Sequence, residues 1–178
     1  MPASLAIERL EGMATETELA WLAGFIDGEG TIYITHGRDQ QMLFLRIGNT
    51  HVPSLEKIKK ICRVGYIGLH SGGRGRLGKR EVYKWSVQAN QALKVLQKVF
   101  PYLVTKKAQA EIAIAFQSHK NSRRKTGCKR LPRYEVEDDL KFREAIHLLN
   151  KGLKDSVELP AVTQRRLFEE AKGEKEEA

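Results

Sequence analysis

The chain has 178 residues and carries 31 Lys and Arg against 22 Asp and Glu, a formal net charge of +9. That length can bury a core without metal or disulfide staples, and a composition 41% hydrophobic and 30% charged excludes disordered and collagen-like chains. No apolar run approaches the roughly 20 residues that span a bilayer, and MPASLAIERLEG carries acids where a secretory leader would be basic. Cys62 and Cys128 are too few for a disulfide framework. These features predict a soluble, intracellular protein with no membrane partner, and the charge points to a polyanion.

In chain order, Glu16 to Ile26 is predicted helical, with Leu19, Leu22, Ala23 and Ile26 on one face. Thr15 or Thr17 could cap its start, and Gly28 and Gly30 end it. Residues 31–35 and 42–50 alternate, with Ile32, Ile34, Leu43, Leu45 and Ile47 inward: an antiparallel hairpin with one buried face. Pro53 opens a short helix. A second hairpin runs from Val64 to Val87 through the Gly- and Arg-rich tip SGGRGRLGKR. Asn90 is expected to cap a helix that Pro101 breaks. A further helix reaches about Gln117, and a last one spans about Tyr134 to Asn150 before Lys151-Gly152. This order predicts an α+β fold, a mostly antiparallel sheet with helices on one face. Residues 1–154 are expected to form one domain, and 155–178 a tail that is either helical or disordered.

The charge is uneven. From Lys59 to Lys107 there are twelve Lys and Arg and one acid, Glu81; from Ser118 to Arg133 there are seven basic residues and no acid. Glu158 to Ala178 carries six Glu against four Lys and Arg. The open sheet face is expected to present Thr31, Tyr33, Thr35, Arg46, Lys84 and Ser86. A basic β-ribbon of this kind suits the DNA major groove, where side chains reach base edges. Arg38 and His70 of the hairpins are assigned to the same surface, with Arg74, Arg76, Lys79 and Arg80 at the long tip. Arg123, Arg124 and Lys125 are expected to hold flanking phosphates, setting affinity and not sequence choice.

One motif carries the chemistry. Ala20 and Gly24, four apart, form a small-residue stripe that lets two helix backbones approach closely, and the motif occurs once. The partner helix is therefore expected from a second copy of the chain, giving a two-fold homodimer through Ala20, Trp21, Ala23, Gly24 and Asp27. Glu29, read as lying just past the helix end, faces the partial negative charge of the helix dipole and calls for a compensating cation. A carboxylate with phosphate oxygens is a common Mg²⁺ environment.

The nine residues LAGFIDGEG (22–30) resemble the motif of the LAGLIDADG homing endonucleases. The two hairpins, Asn49-Thr50, Val64-Gly65-Tyr66 and PYLVTKKAQAEIA (101–113) are similar to the family as well. The resemblance implies an αββαββα core, a saddle-shaped antiparallel sheet as the DNA-binding face, and additional C-terminal helices. It implies site-specific double-strand DNA cleavage by a homodimer with Mg²⁺ on a long pseudo-palindromic target. Mn²⁺ is an alternate ion, and Ca²⁺ is expected to support binding without cleavage. Glu29 then holds metal with the Gly28 carbonyl, and Lys106, with Lys107 as its one-off competitor, is the basic residue at the scissile phosphate. His51 stands where the family often has Asp, Asn or Gln organising water; it is catalytic, a phosphate contact or a surface residue. Asp27 is expected to accept backbone N–H groups.

Ile32-Tyr33-Ile34 and Tyr66-Ile67-Gly68 look like halves of a GIY-YIG nuclease, but Thr31 stands where that motif needs Gly. The family also includes intron maturases, so intron RNA is a rival partner, and a non-cleaving DNA-binding regulator is the other alternative. A bacterial, phage or organellar setting stays open.

Overall fold

A computed structural model of the protein describes residues 14–36, 41–72, 81–123 and 133–153. Its elements are α1 (Glu16–Glu29), β1 (Gly30–His36), β2 (Gln41–Asn49), α2 (Val52–Cys62), β3 (Tyr66–Gly72), β4 (Glu81–Gln88), α3 (Ala89–Val99), a 3-10 turn (Phe100–Tyr102), α4 (Lys107–Ser122) and α5 (Arg133–Asn150). This is the expected α+β order, αββαββα followed by two more helices. The four strands form one antiparallel sheet in the order β1-β2-β4-β3. The expected tail, 155–178, lies outside the described residues. No described helix is long and apolar enough to cross a membrane.

Of the two threonines that could cap α1, Thr15 does so. The Glu18 N–H donates to Thr15 Oγ1 (3.2 Å) while the Thr15 N–H donates to Glu18 Oε2 (2.9 Å), a reciprocal capping box. At the other end α1 runs through Gly28 and Glu29 and is capped by Gly30, so Glu29 is its last residue, not the one beyond it. A Cβ at Gly30 would lie 2.6 Å from Ile26 O, which is why a glycine makes this turn from helix into strand.

Other boundaries shift for local reasons. Helix α2 starts at Val52 behind His51, with Pro53 inside the first turn, where a missing N–H costs no helical bond. Gln88, not Asn90, stands at the α3 cap; Asn90 lies within the helix and accepts from Gln117 Nε2 at 3.2 Å. Strand β3 begins at Tyr66. Val64 O accepts the indole N–H of Trp85 at 3.0 Å, and Gly65 turns with φ +101°, where a Cβ would meet Trp85 Nε1 at 2.2 Å. Helix α4 continues to Ser122, so the first part of the predicted basic loop is helical.

The alternation holds. Ile32, Ile34, Leu43, Leu45, Ile47, Trp85 and Val87 are buried beneath the helices. They pack with Leu22, Ala23 and Ile26 of α1, Leu55 and Ile58 of α2, Leu96 of α3, Phe116 of α4 and Phe142 of α5. Tyr83, expected inward, is half-buried and its hydroxyl donates to Glu81. Cys62 is half-buried against this layer; burial pushes its thiol up to about 12, against the opposing pull of Lys98. Asn150 Nδ2 donates to Ile32 O at 2.9 Å, tying α5 to the edge strand β1.

Candidate nucleic-acid and metal site

Helix α1 delivers Gly28 and Glu29 to the end of the sheet where β1 begins. Register carries β2 to the same place: Gly30 pairs with Ile47, so Asn49 and His51 lie two and four residues past that pairing. Glu29 and Gly28 are both exposed. The last helical carbonyls have no intrahelical donors, so the Gly28 carbonyl and the Glu29 carboxylate offer hard oxygens at the negative end of the dipole. That donor set fits Mg²⁺ or Ca²⁺. Among the described residues no three His, Cys, Asp or Glu gather in a cluster, so the remaining ligands would come from phosphate, water or another copy of the chain.

Asp27 organises this end of the fold. Its Oδ2 accepts the Val104 N–H (2.8 Å) and its Oδ1 the Lys106 N–H (2.9 Å), while its own carbonyl accepts Thr105 Oγ1 (3.3 Å) and the Lys106 ammonium. Burial pushes the Asp27 carboxyl up, but the donors of Val104, Lys106 and Thr105 together outweigh it and hold it below its usual value. Lys106 is half-buried at the start of α4, and its charge meets the negative end of α1, in the turn that carries Glu29. Lys107 is exposed, with its ammonium 5.4 Å from the Phe100 ring centre, so Lys106 is the lysine that joins the motif. Removing the carboxylate in Asp27→Ala leaves two backbone donors without their acceptor. It is expected to cost about 1–3 kcal/mol in urea unfolding and to lower cleavage by freeing Lys106; unchanged stability would disprove the clamp.

His51 is exposed. Its N–H donates to Asn49 Oδ1 (2.8 Å) and its Nδ1 lies 2.8 Å from Ser54 Oγ, so the ring is held at the head of α2. This keeps it at the same end of the sheet as Glu29 with a role confined by Ser54.

The open face is ordered in rows. Thr31, Arg46, Ser86 and Tyr66 pair across all four strands; Gly48, Lys84 and Gly68 form the next row, and Tyr33, Phe44 and Gln88 another. Thr31 is exposed, and Tyr33, Thr35, Arg46, Lys84 and Ser86 are half-buried. His70 is exposed at the irregularity between Leu69 and Ser71. Sequence reasoning missed Tyr66, 70% exposed in the Arg46 row; the strand alternation contained the signal, hidden by a start placed two residues early. It also missed Thr105, whose bond to Asp27 links segments 78 residues apart.

Three expectations change. Ala23 is fully buried in its own chain's core, so it does not belong to a contact with another copy; Ala20 and Gly24 are exposed and Trp21 is half-buried. Asp27 is committed to the 104–106 turn. Arg123, expected at a flanking phosphate, is instead engaged within the chain: its guanidinium donates to Asp139 at 2.6 and 3.1 Å, with Glu135 Oε2 3.4 Å from Nε. Arg38, Arg74, Arg76, Lys79, Arg80, Arg124 and Lys125 lie outside the described residues.

The fold is similar to solved nuclease structures. Against I-CvuI in complex with the I-CreI target, in the presence of 2 mM Mg and with DNA not cleaved, identity is 23% over 75% of this chain and 82% of that one, TM-score 0.54. Against I-CvuI with its own target in 2 mM Ca it is 21% over 84% and 89%, TM-score 0.53. Against I-AabMI bound to uncleaved DNA it is 21% over 85% of this chain and 49% of that one, TM-score 0.55, so this chain spans about half of that protein. At these identities the likeness is one of fold. No curated protein matches the sequence. A sequence profile described as LAGLIDADG endonuclease matches residues 22–110, half of the chain, and the protein belongs to that family.

Proposed function

We propose that the protein is a site-specific double-strand DNA endonuclease acting as a homodimer with a divalent metal ion, Mg²⁺ foremost. The observation that carries this reading is the turn at the end of α1. It exposes the Glu29 carboxylate and the Gly28 carbonyl while Asp27 holds Lys106 beside them, next to the open sheet face. In this reading the rows of β1, β2, β4 and β3 lie along one half of the target. Glu29 and Gly28 hold the metal, and Lys106 steadies charge on the scissile phosphate. His51, oriented by Ser54, organises water at the same end. A divalent ion bound there lowers the pKa of water and offsets charge on the leaving oxygen.

The exposed stripe of Ala20, Gly24 and Gly28 supports the dimer. A Cβ at Gly24 or Gly28 would meet nothing within 4 Å, so the chain's own packing does not require glycine at either place. Glycine inside a helix costs roughly 1 kcal/mol against alanine, a penalty that close approach by a second helix would explain. Metal-stripped protein incubated with duplex DNA spanning the joined flanks of its own reading frame should cut both strands when Mg²⁺ is added and stop with EDTA. Gly24→Leu should run as a monomer by light scattering and lose cutting. Absence of cleavage across that junction would refute the nuclease reading, and an active Gly24→Leu dimer would refute the seam.

A further inference from the structure

We propose that residues 1–13 of the chain itself dock in an apolar groove between α1, α2 and α3, on the helical side of the sheet, a contact that does not depend on what the open sheet face binds.

The groove is a cleft of about 310 Å³. Leu19 and Leu22 of α1, Val64 just past α2, and Val95 and Val99 of α3 line it. Cys62 lies in its wall, and Lys94 and Lys98, both exposed, stand on its rim. Leu19, Cys62 and Val64 are only half-buried, so the apolar layer of the core reaches the surface here with no cover among the described residues. An open apolar cleft with a polar rim marks a place where another segment packs. Each helical residue turns by about 100°, so Leu19 and Leu22 lie on the far side of α1 from the exposed Ala20 and Gly24. A second copy seated on that small-residue stripe would leave the groove open.

The point where the chain enters identifies the occupant. Ala14 is half-buried against the core, and the capping box of Thr15 and Glu18 starts α1 directly after it. Residues 1–13 thus approach from the end of α1 whose first turns line the groove. In their sequence Ala3, Ala6, Ile7 and Leu10 fall at i, i+3, i+4 and i+7, which predicts one apolar helical face, with Gly12 as its stop. Glu8 and Glu11, three apart, flank that face on one side, opposite in charge to Lys94 and Lys98 on a helix that contains no acid. Residues 3–11 would run about 12 Å as a helix, matching the stretch of α3 from Gln91 to Val99 that lines the cleft. Doubling back through residues 12–14 makes an antiparallel pair with α1 over a connection of ordinary length. A helix this short is marginal alone in water, so its apolar face needs a surface to bury against.

Cys62 reports on the groove. With Cys128 replaced by serine it is the one thiol in the sequence, and its reaction with DTNB can be timed at fixed pH. A chain starting at Met13 keeps Ala14 and the capping box, and its Cys62 should react on the order of tenfold faster than in the full chain. Ile7→Asp with Leu10→Asp in the full chain should raise the rate as the truncation does, and this variant decides if the shortened chain unfolds on melting. A peptide of residues 1–13 added to the shortened chain should restore the slow reaction, and the same peptide with both aspartates should not. Equal Cys62 rates in the full, shortened and doubly substituted chains would overturn the proposal. A slow reaction that survives both changes but speeds up on dilution would assign the groove to a second copy and overturn it as well.

Discussion

Glu29→Gln is expected to lose phosphodiester cleavage by at least about a thousandfold while still binding target DNA in Ca²⁺ or without metal. The substitution keeps the side chain's shape and removes the charge at the end of α1 that a divalent ion would need. It also removes an acid from the negative end of a helix, so thermal stability should hold or rise. That combination, an intact or firmer fold with no cutting, separates metal ligation from structural damage. Single-turnover cleavage and a melting curve on the same preparation provide both readouts. Undiminished cutting by Glu29→Gln would remove the carboxylate from the reaction and leave Lys106 and His51 without a centre to serve.

The second large effect concerns stability. Asp139 is 1% exposed, and the Arg123 side chain facing it is 9% exposed. Asp139→Leu strands a guanidinium in a nearly dry seam between α4 and α5, with only Glu135 left beside it. The expected loss is about 3 kcal/mol, at the low end for breaking a buried pair because Glu135 remains. For a protein of this size that lowers the melting temperature by about 6–12 °C. The double variant Arg123→Met with Asp139→Leu should recover most of the loss, since apolar groups of similar volume need no counter-charge. Arg123→Met should also leave the salt dependence of DNA binding unchanged, because this arginine is engaged inside the chain. A melting temperature unmoved by Asp139→Leu would show the pair to be hydrated and idle.

Lys120 belongs to the same seam. Its ammonium donates to Gln41 O, and burial lowers its pKa against the opposing charge of Asp139, with Arg123 adding to the lowering. The stretch read from sequence as one basic loop thus divides by role. Lys120 and Arg123 tie α4 to the sheet and to α5, and the residues that follow lie beyond what the structure describes.

Much of the architecture was legible because its determinants are local. Two-residue alternation in 31–35 and 42–50 predicted which side chains of β1 and β2 turn inward, and the burial follows it. The motif at 22–30 identified the family and singled out Glu29, and the similar stretch 101–113 singled out Lys106, as candidates without any coordinates. Even the capping box of Thr15 and Glu18 lies within three residues of sequence.

What the tertiary structure alone decided were contacts between distant segments and the rotation of single residues about an axis. Asp27 reaches residues 77 to 79 positions away, and Arg123 meets Asp139 across a helix pair; neither leaves a period in the sequence. Ala23 and Gly24 are neighbours in the motif, yet successive helical residues turn by about 100°, so one lies in the core and the other on the surface. Strand order β1-β2-β4-β3 places Arg46 beside Ser86 for the same reason: pairing between hairpins depends on how the core packs, not on either turn.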